Sequence, residues 1–202
     1  MNTPPKLLDD LRAVGVVVTD VWDLVNTGRR YDAAIPVLMD WLEHADARVP
    51  LEHRTKLCEG LVRALTVPTA RPHAAPLLIK QFREARDPTG SGLRWAIGNA
   101  LAEVADDSMF DELAEFARDR RYGRARQMIV WGFRRSRDPR AVPLLIELLD
   151  DDEVAAHAAS ALGPLKAASA RPALERMVNH PKPLVRRNAK KALAKLSRSE
   201  QQ

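Results

Sequence analysis

The side chains able to do chemistry are scattered. The metal-ligating and nucleophilic candidates are five histidines (His44, His53, His73, His157 and His180) and one cysteine, Cys58. No histidine stands three or four residues from another or from Cys58, the spacing that would set two ligands on one helix face, so no metal site is predicted. The glycines are isolated or flank turns, which excludes a phosphate-cradling loop. Cys58 has no activating base nearby in sequence and reads as an inert, structural thiol. These absences predict a non-enzyme without a cofactor.

Two other groupings carry weight. From residue 118 to 137 there are eight arginines against one acid, Asp119. That density is what phosphate binding requires, because each neutralised phosphate releases counterions. Arg120, Arg121, Arg126, Arg134, Arg135 and Arg137 are the candidate nucleic-acid contacts. A second basic run, Lys182, Arg186, Arg187, Lys190, Lys191 and Lys195, lies near the C-terminus. The competing reading is a solvated surface in the first case and a polar outer cap in the second.

The elements that must position these residues repeat along the chain. A heptapeptide recurs as PVLMDWL at 36–42, PLLIKQF at 76–82, DELAEFA at 111–117, PLLIELL at 143–149 and PALERMV at 172–178. Four of its five starts are proline, which suits the first turn of a helix, where the missing N–H costs nothing. After a breaker (46–50, 87–92, 119–123, 150–153 and 180–183) a second pattern follows. It reads apolar, Arg, two variable, small, two variable, small, Leu, small. VRRNAKKALA at 185–194 and VAAHAASALG at 154–163 are the clearest copies. LRWAIGNALA at 93–102, GRARQMIVWG at 123–132 and HRTKLCEGLV at 53–62 are looser. Positions 1, 5, 8 and 9 share one helical face. Each unit is therefore helix, turn, helix.

These units resemble HEAT repeats, and in length the later ones resemble the short repeats of the phycobilin-lyase type. Pro36, Pro76, Pro143 and Pro172 carry the likeness, with Arg54, Arg94, Arg124 and Arg186 in the second helices. The fourth unit has Ala155 where the arginine belongs. The resemblance implies an all-α, right-handed α-solenoid of about five helix pairs. The chain is read as a single repeat domain, 1–202, with an N-terminal helix at 7–26 and units at about 30–66, 70–105, 107–136, 138–166 and 168–197. The family also implies that second helices line a concave face.

At 100° per residue, positions 3 and 7 of the second helix, with 6 nearby, point away from its partner. The copies above place Trp95, Asn99, Met128, Ile129, Arg187 and Lys191 on that face, and they are the candidate partner-binding residues. An exposed Trp, Met and Ile cluster has the composition of a protein-binding hot spot. The leading expectation is a non-catalytic scaffold for a protein partner, with nucleic acid as the alternative. A third reading comes from HEAT-like alkylpurine DNA glycosylases, which hold a damaged nucleotide with tryptophans and a catalytic aspartate. Trp95 with Asn99 one turn on is the nearest match, but asparagine supplies no carboxylate.

The bulk composition agrees with a helical, globular chain. It has 202 residues, 46% hydrophobic and only 5% aromatic, with a net charge of +5. The apolar runs are too short to span a bilayer, and no secretion signal precedes residue 10. A single cysteine excludes an intrachain disulfide framework, so a cytoplasmic location with no membrane contact is expected.

Overall fold

The computed structural model describes residues 3–85 and 92–200, with side chains through residue 198. The breaker expected at 87–92 lies almost wholly outside the described residues. Among those described, no strand occurs. The helices are α1 (Pro5–Ala13), α2 (Ile35–Glu43), α3 (Ala45–Arg48), α4 (Leu51–Ala64), α5 (Ala75–Glu84), α6 (Leu93–Val104), α7 (Phe110–Arg118), α8 (Arg126–Gly132), α9 (Ala141–Glu147), α10 (Ala155–Leu165), α11 (Arg171–Met177) and α12 (Pro183–Glu200). The five recurring heptapeptides form α2, α5, α7, α9 and α11. The second pattern forms α4, α6, α8, α10 and α12. Proline occupies the first turn of α2, α5 and α11, where it pre-sets φ for a helix.

The chain divides into two compact units, Met1–Ala105 and Asp106–Gln202. The boundary falls between the second and third helix pairs.

In the first unit, α4 packs against both α2 and α6. Leu38, Leu42, Leu57, Leu61, Leu65, Leu78, Phe82, Ile97 and Leu101 are buried. Each such side chain contributes roughly 1.5–3 kcal/mol. The Tyr31 hydroxyl donates to the Ala64 carbonyl at 2.8 Å and ties the entry segment to the end of α4. The helix expected at 7–26 is broken. Gly15 adopts φ +83, and the amides of Gly15 and Val16 bond back to Arg12 and Leu11. This glycine-closed end satisfies the last carbonyls of α1. The next residues, Val16 to Thr19, are β-branched and poor at restarting a helix. A 3₁₀ turn, Val21–Leu24, follows instead. The Asp20 carboxylate accepts the Trp22 amide, and the Asp23 carboxylate accepts the amides of Thr19 and Asp20. This turn rests on α4 at Gly60, where a Cβ would lie 2.8 Å from Val21 Cγ1.

In the second unit, α10 is the central helix and packs against α8, α9 and α12. Ala155, Ala158, Ala159 and Ala161 are buried along it. At Gly163 an added Cβ would come within 3.3 Å of Ala192 Cα on α12. These small residues let the two helix backbones approach closely, since interaxial distance follows side-chain size. Phe110 and Phe133 meet edge to face at 5.4 Å between α7 and the turn after α8.

Candidate interaction surfaces

The second-helix arginines order the turns. Arg54 donates to the carbonyls of Asp46 and Val49, and Arg94 to those of Phe82 and Ala85. Arg186 donates to the carbonyls of His180 and Pro181. Each spans the gap that its own breaker opens and satisfies carbonyls left without helical partners. In the third helix pair this role belongs to Arg126, not Arg124. The Arg126 guanidinium donates to Ala117 O and Gly123 O, both at 3.1 Å, and to Asp151 at 2.8 Å. Arg126 is 1% exposed. Arg124 is exposed and reaches only Glu153, at 3.8 Å.

The third copy must therefore be shifted by two residues. Ala125, Ile129, Gly132 and Phe133 then fill positions 1, 5, 8 and 9. Ile129 is 2% exposed, so its assignment to a partner-binding face is corrected: it is a core residue of α8. Position 7 passes to Trp131, and position 3 to Gln127. Met128 moves to the flank, where it is half-buried.

Position 6 is also corrected. Cys58, Val130 and Ala159 are all buried, because within each unit another second helix packs beside theirs: α6 beside α4, α10 beside α8 and α12 beside α10. Only Lys190 on α12 is exposed at this position.

The outward positions are thus 3 and 7. In the first unit they hold Thr55 and Glu59 on α4 and Trp95 and Asn99 on α6; both Trp95 and Asn99 are half-buried. In the second unit they hold Gln127 and Trp131 on α8, Ala156 and Ser160 on α10, and Arg187 and Lys191 on α12. Trp131 is half-buried and its ring carries the Arg134 guanidinium at 3.1 Å, a cation–π stack. Gln127 donates to the backbone and side chain of Glu153. Arg187 and Lys191 are exposed.

The arginine cluster at 118–140 is largely neutralised. Arg118 pairs with Glu147 at 2.9 Å, Arg121 with Asp119 at 2.6 Å, and Arg120 with Asp151 at 3.3 Å. Arg140 bridges Asp111 and Asp138 at 2.6 and 2.8 Å. Arg126 is buried, so it cannot reach a phosphate, and Arg134 lies on Trp131. Arg135 and Arg137 are exposed. Sequence density overstated this cluster because Asp111, Glu147 and Asp151 come from outside the run. Burial works against the charge of Asp151. The Arg126 hydrogen bond, the Glu153 amide and the charges of Arg126 and Arg120 outweigh it, holding its pKa below the usual carboxylate value.

Among the described residues, no group of three His, Cys, Asp or Glu side chains is placed to hold a metal. Cys58 is buried, and burial pushes its thiol up to about 11, leaving little nucleophilic thiolate at neutral pH. Burial also lowers the pKa of His157, whose shielded Nδ1 has no hydrogen-bond partner. No described helix is long and apolar enough to cross a membrane.

This geometry of stacked helix hairpins with arginine-ordered turns defines an all-α solenoid repeat protein. The family model for HEAT repeats matches residues 75–155 and 150–202. The chain belongs to the HEAT-repeat family. Comparison with curated proteins returned no match.

Proposed function

We propose that the chain is a non-catalytic interaction module that binds a protein through the outward positions of its second helices. The observation that carries this reading is that Trp95 and Trp131 are each half-buried rather than fully buried, at positions the repeat turns away from its first helix. Partly exposed tryptophans on rigid helices act as anchors, because they bury large area while losing little conformational entropy. HEAT repeats commonly serve as protein scaffolds, and among the described residues these faces carry no acid–base pair or activated nucleophile. Asn99 beside Trp95 argues against a glycosylase, since an amide cannot stabilise a developing cationic sugar.

The test uses affinity capture from the native host with the full chain, Trp95→Ala and Trp131→Ala. Loss of a specific protein in either variant, with unchanged helical circular dichroism, is the expected result. Unaltered capture by both variants refutes these faces as the binding surfaces.

A further inference from the structure

The exposed face of α12 differs in kind from every other charged surface of the second unit. From residue 182 to 198 there are seven cations and no acid. Two are engaged: Lys182 with Asp152, and Arg186 with the turn carbonyls. Of the acids on the elements before it, Asp150 pairs with Arg176, Asp151 with Arg126 and Glu153 with Arg124, while Glu175 on α11 is exposed. Between Arg187 and Arg198 the exposed residues are Arg187, Lys190, Lys191, Ala194, Lys195 and Arg198. At 100° per residue they lie within about 140° of arc, and at 1.5 Å per residue they extend over about 16 Å.

Solubility alone does not account for this stripe. A polar outer face needs charge of either sign, and mixed signs serve best. Here Arg187, Lys191 and Lys195 follow one another at i, i+4 and i+8, so like charges repel along the helix. Such a row is relieved by an external polyanion.

We infer that this stripe binds the phosphate backbone of duplex DNA without regard to sequence. Between Arg187 and Arg198 the stripe holds cations and one alanine; a single large apolar side chain, Leu184, stands on the same face at its N-terminal end, and one isolated leucine is less than the aromatic cluster that anchors a protein. It holds no aromatic ring, which a single strand would need for base stacking. It exposes no amide or hydroxyl to read the 2′-hydroxyls that distinguish an RNA duplex; Asn188 is committed to the Ala156 carbonyl. Phosphate contacts carry no sequence information, so affinity is the same for any duplex. The stripe shares Arg187 and Lys191 with the outward positions of the second helices but includes neither Trp95 nor Trp131, whose substitutions test the protein-binding proposal, so its failure leaves that proposal standing.

Fluorescence anisotropy of a labelled 20-base-pair duplex, titrated with the full chain, tests the inference. Five cations give a slope of log K against log salt of at most about −4.5, so affinity falls by up to about 500-fold from 50 to 200 mM salt. Lys190→Gln with Lys191→Gln reduces this to about 40-fold, whereas Arg118→Gln leaves it unchanged. Both lysines are exposed, and circular dichroism verifies that the variant folds. The inference is overturned by no binding at 50 mM salt, by a wild-type slope in the double variant, or by tighter binding of polyglutamate, of anionic vesicles or of an RNA duplex of the same length.

Discussion

Replacing Arg126 by methionine removes the one guanidinium that the second unit holds almost fully out of water. Its loss leaves the carbonyls of Ala117 and Gly123 and the carboxylate of Asp151 without their donor. Breaking a buried ion pair from one side costs about 3–5 kcal/mol. Arg120 remains 3.3 Å from Asp151 and is itself largely exposed, so the lower end, about 3 kcal/mol, is the expected loss. For a chain of this size that is a fall in melting temperature of about 6–12 °C. Arg124→Met should cost no more than about 0.5 kcal/mol, since its 3.8 Å contact is on the surface. The pair R126M/D151N should recover part of the loss, because it removes the stranded charge.

A pH series adds an independent readout. The folded pKa of Asp151 is depressed. Its contribution is therefore complete above the unfolded carboxylate value of about 3.9 and is lost as pH falls through the lower folded value. Wild type loses this increment on acidification and R126M loses less of it. Thermal melts by circular dichroism at pH 7 and across pH 5 to 2 give both quantities. Equal destabilisation by R124M and R126M would refute the reassigned register.

Two further outcomes are expected. Gly60→Ala should lower stability by about 1–3 kcal/mol in urea denaturation, because the new Cβ sits 2.8 Å from Val21 Cγ1; an unchanged midpoint would show that the 3₁₀ turn yields freely. Cys58 should react with a thiol reagent at pH 8 only about as fast as the chain opens, given a thiol pushed up to about 11 and buried; rapid reaction of the folded chain would contradict the packing.

The fold was legible because its signals are local and repeated. The prolines at 36, 76 and 172 mark first turns, and the small–small–Leu pattern marks second helices. The third copy misled because Arg124 and Arg126 both offer a guanidinium near a helix start. Gly123, with φ 49 and ψ −130, kinks the chain just before them. A sequence clue existed. The register built on Arg124 places Gln127 at core position 5, whereas the register built on Arg126 places Ile129 there. The failure at 7–26 has a different origin. Leu7 and Leu11 carry a helical spacing that Gly15 ends, and helix-like periodicity beyond it was accidental. Neutralisation of the arginine cluster was legible only for the local pairs with Asp119 and Asp138, because Arg118–Glu147 and Arg140–Asp111 are separated by 29 residues. Such pairings become visible only once neighbouring hairpins are stacked.

The arginine clamps on the turns also bear on how the chain reaches this state. Arg54 closes on Val49, Arg94 on Phe82 and Arg186 on Pro181, spans of 5 to 12 residues. The longer polar ties, Gln127 to Glu153 between adjacent hairpins and Arg71 to Glu103 across the second hairpin, span 26 to 32 residues. Contacts so near in sequence need little loop-closure entropy, and proteins dominated by them fold quickly. Any hairpin that locks its own turn can serve as a nucleus, and its neighbours then add one at a time. A lesion at one clamp should consequently slow or fray its own hairpin first rather than abolish folding everywhere.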